Sequence, residues 1–584
     1  MTTRRVMIQV RSSGGNMTMS ENATGPSPLS SIEGLEIDSK FGQVPLPSLN
    51  AVRQDAVPNE IEMALIATGG AAAEQSGSYL IRGRIDDTQE ASLRASVDDP
   101  ANPIVGIYAD IPIQPLITCI GSPAVGDDQT VEALLCVDRL KQYGMDGDGV
   151  MVAIVDTGIN LQYLNGKGKN PKTDVLSSWM PGGQVPFQLP VNHGTMCAFD
   201  VCIAAPKCTL LDIGVLLSAS PGGTVMEGLL SDAVKAYSHL RTILATKRPK
   251  ALVVNNSWGM FQPGWDYPVG HPGNYSDNPK HPFNVIVGTL EREGADILFA
   301  AGNCGDECPD GRCGGITNAI YGANSHPQVL SVAGVDTHKD RVGYSTKGPG
   351  RLTYNKPDIS SYTHFKGSGV YPVDSGTSAA TPVLAGVVAA LRTKYPYQKP
   401  KPATWPFIMR EIIKRLAIDR GDPGYDLEYG WGVVDGCRLA ELFHSTLNAT
   451  GEIGEGMSEI ASYLGSSEGM EKNSAPFLQK TPSTLLSAPP TTMATGITNG
   501  FIRLSVDSQP GRNVHILTGL PAGTRAISLW VTEWKDGNQP WAGSAFMSTS
   551  SVQLFDNGKQ CRFVFNSSWT SSLPVAAQYF FGPA

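Results

Sequence analysis

The sequence has no apolar run approaching the roughly 20 residues that carry a helix across a bilayer, which sets aside a membrane span. Charge is thin. Only 17% of the 584 residues are charged, the net charge is −9, and no basic cluster stands out. That balance argues against nucleic acid as a partner and fits a solvated acidic surface. The amino terminus, Met1-Thr2-Thr3-Arg4-Arg5, carries charge, but Val6 to Val10 is too short and too polar to be the apolar core of a secretory signal. The expectation is a cytoplasmic protein or one exported by a non-standard route, with a trimmed signal as the alternative.

Zinc is poorly served as well. Cys304, Cys308 and Cys313, three of ten cysteines, fall in one loop as C-x3-C-x4-C. That is not a standard zinc spacing, and a fourth ligand is missing. A disulfide within or from this loop is favoured in an oxidising compartment, and free thiols in a reducing one.

What the chain does have is length and an ordinary globular composition, with 41% hydrophobic residues. A length of 584 exceeds a single typical core, so several domains are expected. The most informative stretch is Gly376-Thr377-Ser378-Ala379-Ala380-Thr381-Pro382, followed by the small apolar run Val383 to Leu391. It reads as a glycine-bearing turn entering a helix, with Pro382 expected in the first turn, where its missing N–H costs little. Ser378 then sits near backbone N–H groups that no intrahelical carbonyl satisfies, at a helix end that favours negative charge.

A serine nucleophile needs a base and an acid that orients the base. Val150 to Val155 is a continuous apolar run of strand length ending at Asp156-Thr157-Gly158, which places Asp156 at the carboxyl end of a buried parallel strand. Asn192-His193-Gly194-Thr195 opens a segment, Met196 to Ala205, that reads as a buried helix, and an imidazole is the natural general base near neutral pH. Singly, each motif is as well explained by a turn. Their joint order, Asp then His then Ser, is the order of one of the known triad arrangements. No Gly-x-Ser-x-Gly elbow surrounds Ser378, which argues against a lipase or esterase.

Val155 to Ile159, His193-Gly194-Thr195, Ala300-Ala301-Gly302-Asn303 and Gly376-Thr377-Ser378 resemble the four signatures of the subtilisin-like serine proteases. The resemblance covers roughly residues 130 to 445 and closes on Tyr429 to Asp435. It implies a serine endopeptidase acting on protein or peptide substrates through an acyl-enzyme. Ser378 would be the nucleophile, His193 the base, Asp156 the group fixing its tautomer, and Asn303 an oxyanion donor beside the Ser378 N–H. It further implies that Ser257-Trp258-Gly259, after the strand Leu252 to Val254, is an extended strand that pairs with the substrate backbone, and that Ala301 and Gly302 also bind substrate. Trp258 stands where an aliphatic residue is commoner and suggests a different floor for the specificity pocket. Ala379 replaces a frequent methionine, and the stretch after His193 is recast. No cofactor is implied for the chemistry. Structural calcium is a feature of many relatives, but no ligand set carries over and no metal site is assigned. A binding or scaffold protein retaining the fold is the competing class.

Alternating strand-like and helix-like runs between the signatures predict an α/β fold with a doubly wound, mostly parallel sheet. These runs are Leu210 to Leu216, Asp232 to Lys247, Leu252 to Val254, Val285 to Glu293, Ile297 to Phe299 and Val329 to Ala333. Residues 1–125 form an N-terminal region, with residues 11 to 50 largely irregular. Its block of strand (Ser78 to Ile85), helix (Thr88 to Ala95) and strand (Val105 to Ile111), with Met7 to Val10 as a further strand, resembles the small α+β prodomain of that family. Such a domain acts as chaperone and temporary inhibitor; a permanent accessory domain is the alternative. Processing would fall between Ile111 and Val131. Residues 126–445 are the catalytic domain and 446–497 a linker. Residues 498–584, with short alternating runs, read as a C-terminal β-sandwich-like domain. Asp306, Glu307 and Asp310, in the loop after Asn303, either favour a basic side chain at the cleavage position or are simply solvated.

Overall fold

The computed structural model describes residues 3–11, 35–47, 78–86, 88, 90–97, 102–116, 122–219, 226–399 and 405–450, together with the backbone of the strands lying between 486 and 581. The chain divides into two compact units, Met1–Met470 and Glu471–Ala584.

The first unit begins with an antiparallel sheet. Its strands are β1 (Thr3–Arg11), β2 (Leu35–Ile37), β3 (Val44–Leu46), β4 (Ser78–Asp86) and β5 (Ile104–Ala109), in the order β2-β4-β1-β5 with β3 also on β4. Side chains alternate across a strand. Val6, Ile8 and Val10 therefore turn to one face, where they pack with Ile81, Ile85 and Leu93 of the helix Glu90–Val97. Met7 turns to the other face and joins the core of the following domain with Leu80 and Ala109. Two buried faces explain why Met7 is apolar as well as its neighbours Val6 and Ile8. The strand expected over Val105 to Ile111 breaks at Asp110, and the chain re-forms as β6 (Pro112–Pro115).

The centre of this unit is a seven-stranded sheet, parallel throughout, in the order β15-β14-β13-β11-β7-β9-β8. Its members are β7 (Met151–Val155), β8 (Lys172–Thr173), β9 (Thr209–Ile213), β11 (Leu252–Asn256), β13 (Ala295–Ala300), β14 (Leu330–Val335) and β15 (Ile359–Tyr362). Two short strands, β10 (Gly228–Leu229) and β12 (Trp258–Gly259), lie outside it and flank β6. Strand β9 stops at Ile213, and Val215–Leu217 turns as a short 3-10 helix, so the run Leu210 to Leu216 is strand only in its first half. The helices His193–Ala204 and Thr377–Arg392 pack against each other and are buried along their whole length, on one face of the sheet. Leu230–Lys247 and Pro282–Arg292 pack together in the core of the other face.

Pro382 departs from the expectation. The helix begins at Thr377, so the proline lies in the second turn, not the first. Its missing N–H leaves the carbonyl of Ser378, four residues earlier, without a helical partner. Ser257 Oγ donates to that carbonyl at 3.0 Å and replaces the lost bond. A side chain from the start of β12 is thereby tied to the backbone of Ser378.

In the second unit, Thr498–Arg503, Val575–Phe581, Ile527–Lys535 and Gln539–Trp541 pair antiparallel in one sheet, with two-residue strands at Leu486 and Thr491. Gly511–Thr518, Gln560–Ser567 and Met547–Phe555 form another. Residues 504–510 of the expected C-terminal domain lie outside the described residues, as do residues 451–485 of the expected linker. Among the described residues no helix is long and apolar enough to cross a membrane.

Candidate active site

Asp156 follows β7 directly, and its backbone N–H is held by the carbonyl of Ile213 at 2.9 Å. His193 is the first residue of its helix, whose N-cap Asn192 accepts from the His193 N–H at 2.9 Å and from Tyr371 Oη at 2.8 Å. The two side chains meet out of solvent: His193 Nδ1 lies 2.8 Å from Asp156 Oδ1 and 3.0 Å from Oδ2. A carboxylate there fixes the Nδ1–H tautomer and leaves Nε2 as the basic nitrogen. Nε2 is buried and has no hydrogen-bond partner among the described residues.

Cys197, one turn along the same helix, closes the back of the pair. Its Sγ approaches Asp156 Oδ2 at 3.7 Å and the Ser378 carbonyl at 3.6 Å. Burial first, and the Asp156 charge second, hold this thiol well above its ordinary pKa, so it is a neutral donor and not a nucleophile. Deeper in the same helix, burial and then the neighbouring Asp374 raise Asp200 well above the carboxylate range. Asp212, at the end of β9, is raised by burial to about 7.

Ser378 is the second residue of its helix and is fully buried. Its hydroxyl donates to the main-chain carbonyl of Leu116 at 2.5 Å. Asn303 Nδ2 donates to the same oxygen at 2.5 Å. Asn303 Oδ1 in turn accepts from the N–H and the hydroxyl of Thr377, both at 2.9 Å, which aims the amide. Gly376 leaves room for this convergence. Its φ is +82°, and a Cβ there would stand 2.2 Å from Leu116 O and 2.9 Å from both Asn303 Nδ2 and Ser378 Oγ.

Leu116 reaches this point along β6, which lies antiparallel between two strands. Ile113 and Pro112 pair with Gly228 and Leu229, while Pro115 and Gln114 pair with Trp258 and Gly259. The Leu116 N–H donates to Ser257 O at 3.2 Å. Ser257 to Gly259 therefore hold an extended strand through their backbone. The Trp258 ring turns away, into the core against Phe283 and Phe299, and forms no floor to the cleft. Ala301 and Gly302 line the same pocket as Leu116. Asp306 and Glu307 do not: they pair with Lys347 at 3.2 and 3.4 Å and with Arg341. Asp310 pairs with Arg312 at 2.8 Å.

The cysteine loop carries a disulfide, Cys304–Cys313, and leaves Cys308 free and exposed. A second disulfide joins Cys136 to Cys437. Among the described residues two groups converge closely enough to hold a metal ion. One is Asp156, His193 and Cys197. The other is an exposed turn of Asp336, His338 and Asp340, in which Asp336 already accepts the N–H groups of His338 and Asp340. No zinc cluster forms in the cysteine loop among the described residues.

The sequence left Leu116, Cys197 and Thr377 unassigned. For Leu116 there was a signal, a short apolar segment between two prolines directly after the N-terminal block. Its role depends on β12, which the resemblance had marked as an extended strand, and on β10, too short to be read as a strand.

Residues 147–432 match the Subtilase family. The chain is 26% identical over 299 residues to subtilisin E of Bacillus subtilis, covering 51% of this chain and 67% of that one. It is 26% identical over 315 residues to fervidolysin of Fervidobacterium pennivorans, covering 49% and 40% respectively. Among solved structures, a lanthipeptide protease is similar at 17% identity with a TM-score of 0.37, over 55% of this chain and 99% of that one. Through residues 147–432 the chain belongs to the subtilase family and is a subtilisin-like serine peptidase with the α/β fold of that family.

Proposed function

We propose that the chain is a serine endopeptidase made as a zymogen, in which Asp156, His193, Ser378 and Asn303 do the chemistry and residues up to Leu116 occupy the cleft until they are cut away. The observation that carries this reading is the Leu116 carbonyl oxygen, held by both Ser378 Oγ and Asn303 Nδ2. A backbone carbonyl in that position is where a substrate's scissile carbonyl must sit, and β6 presents it as an extended substrate would.

Ser378 Oγ attacks the carbonyl carbon while His193 Nε2 takes its proton, and Asp156 stabilises the imidazolium. The charge that develops on the carbonyl oxygen is met by Asn303 Nδ2 and the backbone N–H of Ser378 at the first turn of its helix. Collapse expels the amine of the following residue, protonated by His193, and leaves an ester on Ser378. Water, deprotonated by the same imidazole, then releases the acid. No cofactor enters these steps.

The N-terminal region fits the role of inhibitor and chaperone by its contacts. The helix Leu230–Lys247 has no side-chain cap of its own, and Asp110 supplies one, accepting from Ser231 N and Oγ at 2.9 Å each. Arg82 joins the same group through Ser231 at 2.8 Å and Asp110 at 3.3 Å. The Ala109 N–H donates to Gly273 O at 2.9 Å. The C-terminal strands are proposed as an accessory β-sandwich.

Fluorophosphonate labelling tests the reading. The expected result is a covalent adduct on Ser378 in processed protein, absent in Ser378→Ala and His193→Ala. A processed, folded protein that takes no label would exclude it.

A further inference from the structure

We propose that the Cys304–Cys313 disulfide is a wall of the pocket that receives the side chain preceding the scissile bond, that this pocket selects leucine-sized aliphatic residues, and that reducing the disulfide relaxes the selection. The inference rests on the peptidase reading above and adds to it a substrate class and a form of control.

The Leu116 side chain is buried in a small cluster of its own, with Phe261, Ala300, Cys304, Cys313 and the half-buried Trp265. Both sulfurs belong to that cluster, and Cys304 and Cys313 are 5% and 0% exposed. Around them the pocket is completed by backbone and by neutral side chains such as Met260, Ala319 and Thr346. Among the described residues no carboxylate lines it, and the loop's acids are engaged by Lys347, Arg341 and Arg312. A lysine or arginine entering here would bury an unpaired charge. The Arg312 guanidinium covers the Phe261 ring at 3.8 Å and donates to Pro115 O at 3.0 Å, which closes the rim against a further cation.

The crosslink also holds the loop that carries Asn303. Cys304 directly follows Asn303 and its N–H donates to Thr346 Oγ1 at 2.8 Å. Asp310 N donates to Asn303 O at 2.9 Å, and Cys313 N to Asp310 O at 3.0 Å. The disulfide closes this excursion at its ends, nine positions apart in sequence. A dithiol reductant would cleave the S–S bond, giving two protein thiols and the oxidised reductant. The two sulfurs then separate to contact distance, and the wall of the pocket is no longer fixed.

The test uses processed enzyme and a peptide series Ile-Gln-Pro-X with a chromogenic amine, X being Leu, Met, Arg or Gly, before and after dithiothreitol and alkylation. Cys136→Ser/Cys437→Ser removes the other disulfide as a background, and Cys304→Ala/Cys313→Ala gives the same loss without reductant. The oxidised enzyme should favour Leu over Gly and Arg by about 100-fold in kcat/KM. Reduction should lower the Leu value by about ten-fold or more, the range that pocket contacts command. Fluorophosphonate labelling of Ser378 should change far less, because the reagent makes little use of the pocket and the Asn303 side chain keeps its bonds from Thr377. Equal selectivity with and without the disulfide, or a preference for Arg, would overturn the proposal while labelling persists. Protein that neither labels nor cleaves would overturn the peptidase reading, and this one with it.

Discussion

The Nδ2 of Asn303 donates to the carbonyl oxygen of Leu116 at 2.5 Å, a bond between residues 187 positions apart in the chain. The same amide is oriented by Thr377 through its Oδ1. Asn303 therefore has two separable duties, donation to the carbonyl and support of the turn before Ser378. Asn303→Ala, which loses both, should lower kcat by about 100- to 1000-fold with a small change in KM, and should also lower Tm. Asn303→Asp keeps the acceptor for Thr377, so its Tm should fall less while its kcat falls at least as far. Steady-state kinetics and calorimetry on both variants check this.

Self-processing should depend on the Leu116 side chain. Leu116→Met conserves volume in the pocket and should process at close to the normal rate. Leu116→Arg places a charge among Phe261, Cys304 and Cys313 and should slow processing by about ten-fold or more, read as persistence of the full-length band on a denaturing gel.

Ser257→Ala removes the hydroxyl that replaces the helix bond lost at Pro382. Among the described residues the Ser378 carbonyl then keeps only the weak Cys197 thiol as a donor. Denaturant unfolding should show a loss of about 1–3 kcal/mol, the cost of an unsatisfied buried acceptor.

Asp212 sets a pH dependence of stability. Its carboxyl accepts from Phe187 N at 2.7 Å and Ile159 N at 3.1 Å, yet burial raises its pKa to about 7 from 3.8. Between those values the folded chain holds a proton that the unfolded chain has released, so stability is full below pH 4 and declines as pH rises toward 7. Asp212→Asn retains an acceptor without the titration. The difference between wild type and variant should therefore shift in favour of the variant across this window, by on the order of a few kcal/mol. Denaturant titrations at pH 4, 5.5 and 7 measure it. Asp110 and Asp374, both raised to about 6 by burial, leave a residual slope in both proteins.

The parallel sheet was legible because its strands are buried on both sides and read as continuous apolar runs such as Val150 to Val155. The Asp156, His193, Asn303 and Ser378 motifs were legible because each sits where a strand ends or a helix begins. Ser257-Trp258-Gly259 was legible as an extended strand through the resemblance, but the two-residue β10 leaves no such trace, and the seating of β6 between the two, with the placement of Leu116, stayed hidden. Pro382 misled for a related cause: local pattern locates a helix start only within a few residues, and a neighbouring Ser257 removes the penalty that would otherwise exclude a proline there. The acids after Asn303 look like a specificity element in sequence. Their partners Lys347 and Arg341 lie some 35 to 40 positions on, and only the fold brings them together.

The most direct test of the central claim is the amino-terminal sequence of the purified full chain beside its Ser378→Ala form. The expected result is a single cut after Leu116 in the wild type, giving a fragment that begins at Ile117, and an intact chain in Ser378→Ala. Cleavage at the same bond in both proteins, or an intact wild type that nevertheless hydrolyses peptides, would contradict it.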